Sequence, residues 1–81
     1  MIRVRPTYPE IALQARLEGR VVVRAFVGTD GRIVKAEAEG EPSLFDEAAT
    51  SAVARWVFTP ALAGSHPVAV WVRVPVVFRL E

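Results

Sequence analysis

The sequence predicts an α+β fold of two layers, a three-stranded antiparallel sheet with two helices packed on one of its faces. Two observations about periodicity lead to this prediction. Hydrophobic residues alternate with others in residues 20–39 and again in residues 68–80, which is typical of strands. They follow helical spacing in residues 45–56. A short helix near the N-terminus completes the order helix, strand, strand, helix, strand, which favours two layers around one core.

Composition limits the classes of protein. The 81 residues fit one domain, residues 1–81, and 52% of them are hydrophobic, as in a globular chain. Ten basic and nine acidic residues give a formal charge of +1, which argues neither for nor against nucleic acid. There is no cysteine, so nothing points to disulfides or a thiol-based metal site. No segment approaches about 20 apolar residues, so a membrane anchor of the parent protein would lie outside this chain.

The first half of the chain predicts a helix and a hairpin. Pro9 fits the first turn of a helix, and Gly19 is expected to end it. Residues 20–27 form the first strand, and Asp30-Gly31 supplies the turn. In the return strand, residues 32–39, the alternation is broken by Ile33, which indicates a bulge near its start. The rest of that strand places Lys35, Glu37 and Glu39 on one side and Val34, Ala36 and Ala38 on the other.

The second half predicts the longer helix and the last strand. Ser43 and Asp46 resemble a capping box before that helix, and Pro60 limits its extent. Residues 61–67 are expected to form a loop, and residues 68–80 a long strand. Because Pro75 cannot donate a ladder hydrogen bond, that strand is expected at the sheet edge. The core is expected to include Phe45, Val53, Trp56 and Phe58.

Catalysis and nucleic-acid binding are not favoured. The one histidine, His66, lies in a Gly-Ser-His-Pro segment without a nearby carboxylate, and the serines lack the context of a nucleophile elbow. The arginines are interspersed with acids and are not accompanied by a run of aromatic residues. We therefore expect neither enzymatic activity nor a cofactor nor a nucleic-acid partner.

The last strand is the main candidate for a binding site. A long edge strand is usually protected by charge or shortness, and this one has only Arg73, Pro75 and Arg79. Either another part of the parent protein or a second copy covers it, or it docks an extended peptide. The rigid segment Arg5-Pro6-Thr7-Tyr8-Pro9 also has two interpretations. In the first, Tyr8 only fastens it to the core; in the second, the segment also borders the docking site.

Four motifs in order resemble the family of TonB C-terminal domains. A Pro-x-Tyr-Pro-x-x-Ala opening begins at Pro6, and a Gly-x-Val-x-Val strand with an Asp-Gly turn follows from Gly19. A Phe-Asp-x-x-Ala helix begins at Phe45 and closes in Trp-x-Phe-x-Pro at Pro60. The last strand carries Pro-Val-x-Phe-x-Leu from Pro75. The match extends from residue 5 to residue 80.

The resemblance implies a periplasmic domain joined by a Pro-rich spacer to an inner-membrane helix, both absent from this chain. It implies work with ExbB- and ExbD-like proteins and binding of the TonB box of outer-membrane transporters beside the last strand. Where some members carry Gln-Pro before the tyrosine, this chain has Arg5-Pro6. The expected peptide-binding residues are Arg5, Pro6, Tyr8, Val72, Arg73, Val74, Val76, Val77 and Arg79.

A second hypothesis is an assembly module, as in TolA-like or peptidase-linked relatives, that pairs with copies of itself or another envelope protein. If the last strand pairs with the first, the helix-free face of the sheet carries an apolar patch rimmed by arginines. One interpretation is that the patch marks a contact, such as that of a homodimer; the other is that the arginine stems cover its rings. Its expected residues are Val22, Phe26 and Trp71.

Overall fold

The computed structural model describes residues 1–80, and its elements follow the predicted order with one addition. The elements are α1 (Glu10–Gln14), β1 (Gly19–Val27), β2 (Ile33–Ala38), α2 (Asp46–Val53), β3 (Ala61–Ala63), β4 (His66–Val68) and β5 (Val70–Phe78). Three strands form an antiparallel sheet in the order β2-β1-β5, and β3 pairs with β4 in a separate small hairpin. The α+β class and the three-stranded sheet are thus confirmed. Neither helix in residues 1–80 has the length and apolar character needed to cross a membrane.

Both helices contribute to one hydrophobic core on one face of the sheet. Ala12 of α1 and Val53 of α2 are fully buried in the same cluster as the inward-facing residues of β1 and β5. Phe45 stacks on Phe78 with ring centroids 4.6 Å apart. Because a Cβ at Gly19 would lie 2.5 Å from the Phe45 ring, this glycine lets the ring reach the sheet. Phe45 and Val53 are core residues as expected. Trp56 and Phe58, expected in the core, are only partly buried against it.

The short helix α1 ends differently from the prediction. Arg16 has a φ of 55°, and Leu17 N–H donates to Ala12 C=O while Arg16 N–H donates to Leu13 C=O. This is the Schellman arrangement, with an arginine where glycine is usual. Gly19, expected to end the helix, is instead the first residue of β1.

The return strand β2 contains the expected bulge, with a consequence for the side chains. Phe26 pairs with Lys35, but Val27 pairs with Ile33, so Val34 is the extra residue. Ile33 consequently packs against the core, whereas Val34 is 68% exposed. The expectation that Val34 shares a side with Ala36 and Ala38, which pack against the core, was therefore wrong.

Two further segments differ from or refine the prediction. Residues 61–67 are not a loop, because β3 and the start of β4 lie there, joined through Gly64 at a φ of 63°.

Before α2, Ser43 N–H and Oγ–H both donate to the Asp46 carboxylate, and Phe45 N–H donates to Ser43 Oγ. This reciprocal pair closes the turn that precedes the helix, much as a capping box does.

Candidate docking edge of the last strand

The strand β5 is bonded on one side only within residues 1–80, since β1 is its single neighbour in the sheet. Its nine residues pair with β1 without interruption, from Gly19 opposite Phe78 to Val27 opposite Val70. The free side is therefore a regular strand edge about nine residues long. Such an edge can accept a further strand through its backbone.

The pairing with β1 determines which backbone groups of β5 point to the open edge. Val22 C=O accepts a hydrogen bond from Glu39 N–H, so the backbone groups of Val22 point toward β2 and away from β5. Its partner Pro75 is then in a non-hydrogen-bonded pair, and the backbone groups of Pro75 point to the open edge. By alternation, those of Arg73 and Val77 also face the open edge. Pro75 thus lies on an edge strand with its missing N–H outward, as the sequence predicted.

The part of the chain before α1, which we call the N-terminal segment, is fastened beside this edge by two contacts with residues 56–57. Ile2 and Val57 exchange backbone hydrogen bonds of 2.7 and 2.9 Å. Trp56 Nε1 donates to Val4 C=O at 2.9 Å. The indole N–H of a part-buried tryptophan needs an acceptor, and this one fixes the path of the segment.

Between this segment and β5 lies an open groove, which we call the docking groove. One part has a volume of about 300 Å³ and lies between Tyr8 and the end of β5. The other has a volume of about 370 Å³ and is backed by Trp56. Arg5, Pro6 and Val77 line both parts. Among residues 1–80, no backbone hydrogen bond joins the N-terminal segment to β5, so the groove is not filled by a fourth strand.

Tyr8 forms the floor of the groove at one end. Its ring makes edge-on contacts with Phe45 and Phe78, at centroid distances of 5.9 and 5.6 Å. Its hydroxyl donates to Leu17 C=O. Desolvation raises the pKa of Tyr8, and the charge of Glu18 raises it further. Tyr8 is therefore fastened to the core and also borders the groove.

The residues that the sequence nominated fall into two sets. Arg5, Pro6, Tyr8, Val76, Val77 and Arg79 come together around the groove. Val72 and Val74 point to the core side of β5, and Val74 is buried. Arg73 lies on the helix-free face, where its Nε and Nη2 donate to the Glu39 carboxylate at 2.9 and 2.8 Å. That hydrogen bonding and the charge of Glu39 raise the pKa of Arg73.

The three nominated interface residues share the helix-free face. Phe26 is opposite Trp71, and their ring centroids are 5.2 Å apart. The Arg24 guanidinium lies 4.6 Å from the Trp71 ring centroid. Trp71 nevertheless remains 45% exposed, and Val22 is half-buried opposite Pro75. Arginine covers the aromatic pair in part and leaves an apolar surface.

Five groove residues were not nominated from the sequence: Arg3, Val4, Trp56, Pro75 and Phe78. Two signals could have found Arg3 and Trp56. In an extended segment, residues two apart lie on one side, which associates Arg3 with Arg5. Trp56 carries an N–H that requires a partner, and helical periodicity alone assigned it to the core.

The fold and the open edge define a class of protein, the small α+β domains that keep one edge of an antiparallel sheet free. The family described as Gram-negative bacterial TonB protein C-terminal matches residues 4–80. The chain belongs to this family, and the resemblance inferred from its motifs is confirmed.

Individual relatives agree with the family match. The chain is 38% identical over 79 residues to Protein tonB2 of Pseudomonas aeruginosa. The matched region covers 94% of this chain and 29% of the relative. It is 32% identical over 82 residues to Protein TonB of Vibrio cholerae serotype O1. That match covers 98% of this chain and 33% of the relative. The chain thus spans about a third of the length of these relatives.

Proposed function

We propose that this chain is the periplasmic protein-binding domain of a TonB-type energy transducer. In this proposal it binds the TonB box of an outer-membrane transporter by adding it as a strand to β5. The observation that carries the proposal is the free edge of β5, nine residues in regular register with β1 and bordered by an open groove. Neither a catalytic reaction nor a cofactor belongs to it.

The edge determines which bonds an added strand would make. The backbone groups of Arg73 and Val77 face outward, while Pro75 between them offers only its carbonyl. A bound segment would therefore meet donors on both sides of a position that lacks one. Side chains of the segment would alternate between the two sides of the sheet plane, and those on the helix side would enter the docking groove.

The wider role of the parent protein is part of the same proposal and rests on family membership. An inner-membrane helix and a Pro-rich spacer would connect the domain to ExbB- and ExbD-like partners. Through them the proton motive force would be coupled to uptake across the outer membrane. The domain described here would supply the contact with the transporter.

The test is amide chemical-shift mapping of the domain with a synthetic TonB-box peptide. We expect the largest shifts along β5 and in the N-terminal segment. The decisive variant is Val77→Pro, which removes an N–H from the open edge without removing a bond to β1. Its matched control is Val77→Thr, which keeps both the N–H and a β-branched side chain.

Each outcome has a direct interpretation. Binding that is lost in Val77→Pro and retained in Val77→Thr would support strand addition at this edge. Shifts limited to the β1–β2 turn, or equal affinity for both variants and the wild type, would overturn the proposed site.

A second candidate is self-association or docking through the helix-free face. The Phe26–Trp71 pair and the exposed Val77 favour it, because an apolar patch rimmed by arginines often marks a contact. Light scattering over a concentration series would compare the wild type with Phe26→Lys and Trp71→Lys. A wild type that stays monomeric at millimolar concentration would exclude self-association. Association that is unchanged in both variants would show that this patch is not the contact.

A further inference from the structure

The chain beyond the end of β5 is held by a side chain instead of by the sheet ladder. The pairing of β1 with β5 ends with Gly19 opposite Phe78. Two residues further on, Leu80 N–H donates to the Glu18 carboxylate at 2.7 Å. The carboxylate thus continues the attachment of this chain end to the fold past the last ladder pair.

The ladder itself would offer Leu80 a different acceptor. In the register of β1 with β5, the residue opposite Leu80 would be Leu17. By the alternation along β1, Leu17 C=O would then accept Leu80 N–H. That carbonyl instead accepts a hydrogen bond from the hydroxyl of Tyr8. Because Tyr8 occupies the backbone acceptor, the adjacent side chain of Glu18 supplies another one.

The turn that carries both acceptors is fixed by α1. Arg16 has a φ of 55°, and Leu17 N–H donates to Ala12 C=O at the end of the helix. Leu17 is therefore held at its N–H by α1 and at its C=O by Tyr8. Glu18 follows directly, so its side chain begins at a defined backbone position.

The bond at Leu80 determines the direction in which the backbone of Arg79 points. Along β5, the backbone groups of Val77 face the open edge and those of Phe78 face β1. Leu80 N–H also points to the side of β1, since it donates to Glu18. Arg79 lies between two residues that point inward. Its own N–H therefore faces the open edge, in line with that of Val77.

From this geometry we propose that Glu18 is a positioning residue of the docking edge. Its carboxylate keeps the chain beyond β5 in the phase of the strand, so the open edge continues to Arg79. Two outward donors, Val77 N–H and Arg79 N–H, then follow Pro75, which offers none. The assignment of Arg79 N–H to an added strand rests on the proposed function, whereas the bond between Glu18 and Leu80 is made in the free domain.

Two substitutions separate the acceptor of Glu18 from its charge. Glu18→Ala removes the acceptor, whereas Glu18→Gln keeps an amide oxygen that can accept Leu80 N–H and removes the charge. Glu41→Ala is the matched control for net charge, because Glu41 is exposed between β2 and α2 and lies outside the residues that line the docking groove. All three variants should melt within about 5 °C of the wild type, since each changes only one exposed side chain.

The first measurement is amide NMR on the free domain. In Glu18→Ala, the Leu80 amide proton should move upfield and exchange about fivefold faster, because it loses its hydrogen bond. The change should be smaller in Glu18→Gln, whose neutral oxygen is a weaker acceptor than a carboxylate. Glu41→Ala should leave this amide as it is in the wild type. A Leu80 amide that is unchanged in Glu18→Ala would overturn the assignment of the acceptor.

The second measurement adds a synthetic TonB-box peptide to the same four proteins. In the saturated wild-type complex, exchange should be slowed at Arg79 N–H as well as at Val77 N–H. By isothermal titration, Glu18→Ala should bind the peptide about threefold to fivefold more weakly, since one backbone donor of the complex is no longer held in place. Glu18→Gln and Glu41→Ala should remain within about twofold of the wild type.

The outcomes distinguish the role of Glu18 from the proposed function. If the peptide protects Val77 N–H but not Arg79 N–H in the wild type, the edge ends before Arg79, the role of Glu18 is wrong and strand addition stands. An equal loss of affinity in Glu18→Gln and Glu18→Ala would assign the effect to charge and contradict positioning through the acceptor. If the peptide protects no N–H of β5, the proposed function and the role of Glu18 in it are both overturned.

Discussion

The two edges of the three-stranded sheet are built in opposite ways. The β2 edge has six residues, a bulge at Val34 and an ion pair between Lys35 and Glu37 at 3.2 Å. The β5 edge has nine residues in unbroken register with β1 and one proline. Short length, bulges and charge are the usual means of protecting an edge from another strand. These features are present at the β2 edge, whereas the β5 edge lacks a bulge and is longer.

This difference leaves β5 as the edge at which a further strand can be added. A bulge shifts the phase of the backbone, so β2 cannot present a continuous row of donors and acceptors. The β5 edge can do so on both sides of Pro75, and the docking groove lies beside it. The open edge and the groove beside it are therefore formed jointly by β5, Trp56 and the N-terminal segment.

The largest expected effect tests the phase of β5. Val76 is buried and its backbone faces β1, whereas the backbone of Val77 faces the open edge. Val76→Pro should therefore cost about 3 kcal/mol or more, because it leaves a buried carbonyl of β1 unpaired and removes packed side-chain atoms. Val77→Pro should cost less than about 1 kcal/mol. Urea denaturation measures both, and equal losses would show that the assigned phase is wrong.

A smaller effect concerns the wall of the groove. Trp56→Ala should cost about 2–3 kcal/mol, below the roughly 3–5 kcal/mol of a fully buried tryptophan, because Trp56 is only partly buried. Trp56→Phe keeps most of the ring and loses the bond to Val4, at a cost of about 1 kcal/mol. Thermal denaturation gives the stabilities. If Trp56→Phe left the amide shifts of residues 2–5 unchanged, the indole bond would not hold the segment.

The smallest effect is a dependence on pH. The pKa of Tyr8 is raised in the folded state, so the contribution of its protonated form is complete below the unfolded value near 10. That contribution is lost as the pH rises through the higher folded value. Stability should therefore fall more steeply above about pH 10 in the wild type than in Tyr8→Phe. Parallel profiles of denaturation midpoint against pH would contradict the assignment of this loss to Tyr8.

Much of the fold was predictable because its signals are local or nearly so. Alternation gave β1 and β5, helical spacing gave α2, and Pro75 placed β5 at the edge. The hairpin of β3 and β4 was missed because its strands are only three residues long and are interrupted by glycine and proline signals. Ile33 rather than Val34 faces the core because Ile33 pairs with Val27 of β1. The sequence of β2 alone does not contain this information.

The site was predictable only in part, for a similar reason. The open edge follows from Pro75, and the resemblance to the family brought Tyr8 near it. The roles of Arg3 and Trp56 depend on the path of the N-terminal segment, which is set by contacts more than 50 residues distant in sequence, such as Trp56 with Val4. Periodicity describes neighbours along an element, and it does not report such contacts.

The most direct test of strand addition at β5 is amide hydrogen exchange with and without a saturating TonB-box peptide. We expect slowed exchange at the N–H groups of Arg73 and Val77, which face the open edge. Those of Val74 and Val76 are bonded to β1 and should be slow in both states, and the β2 edge should not change. New protection along β2, or a saturated complex in which Arg73 and Val77 exchange as fast as in the free domain, would contradict the account.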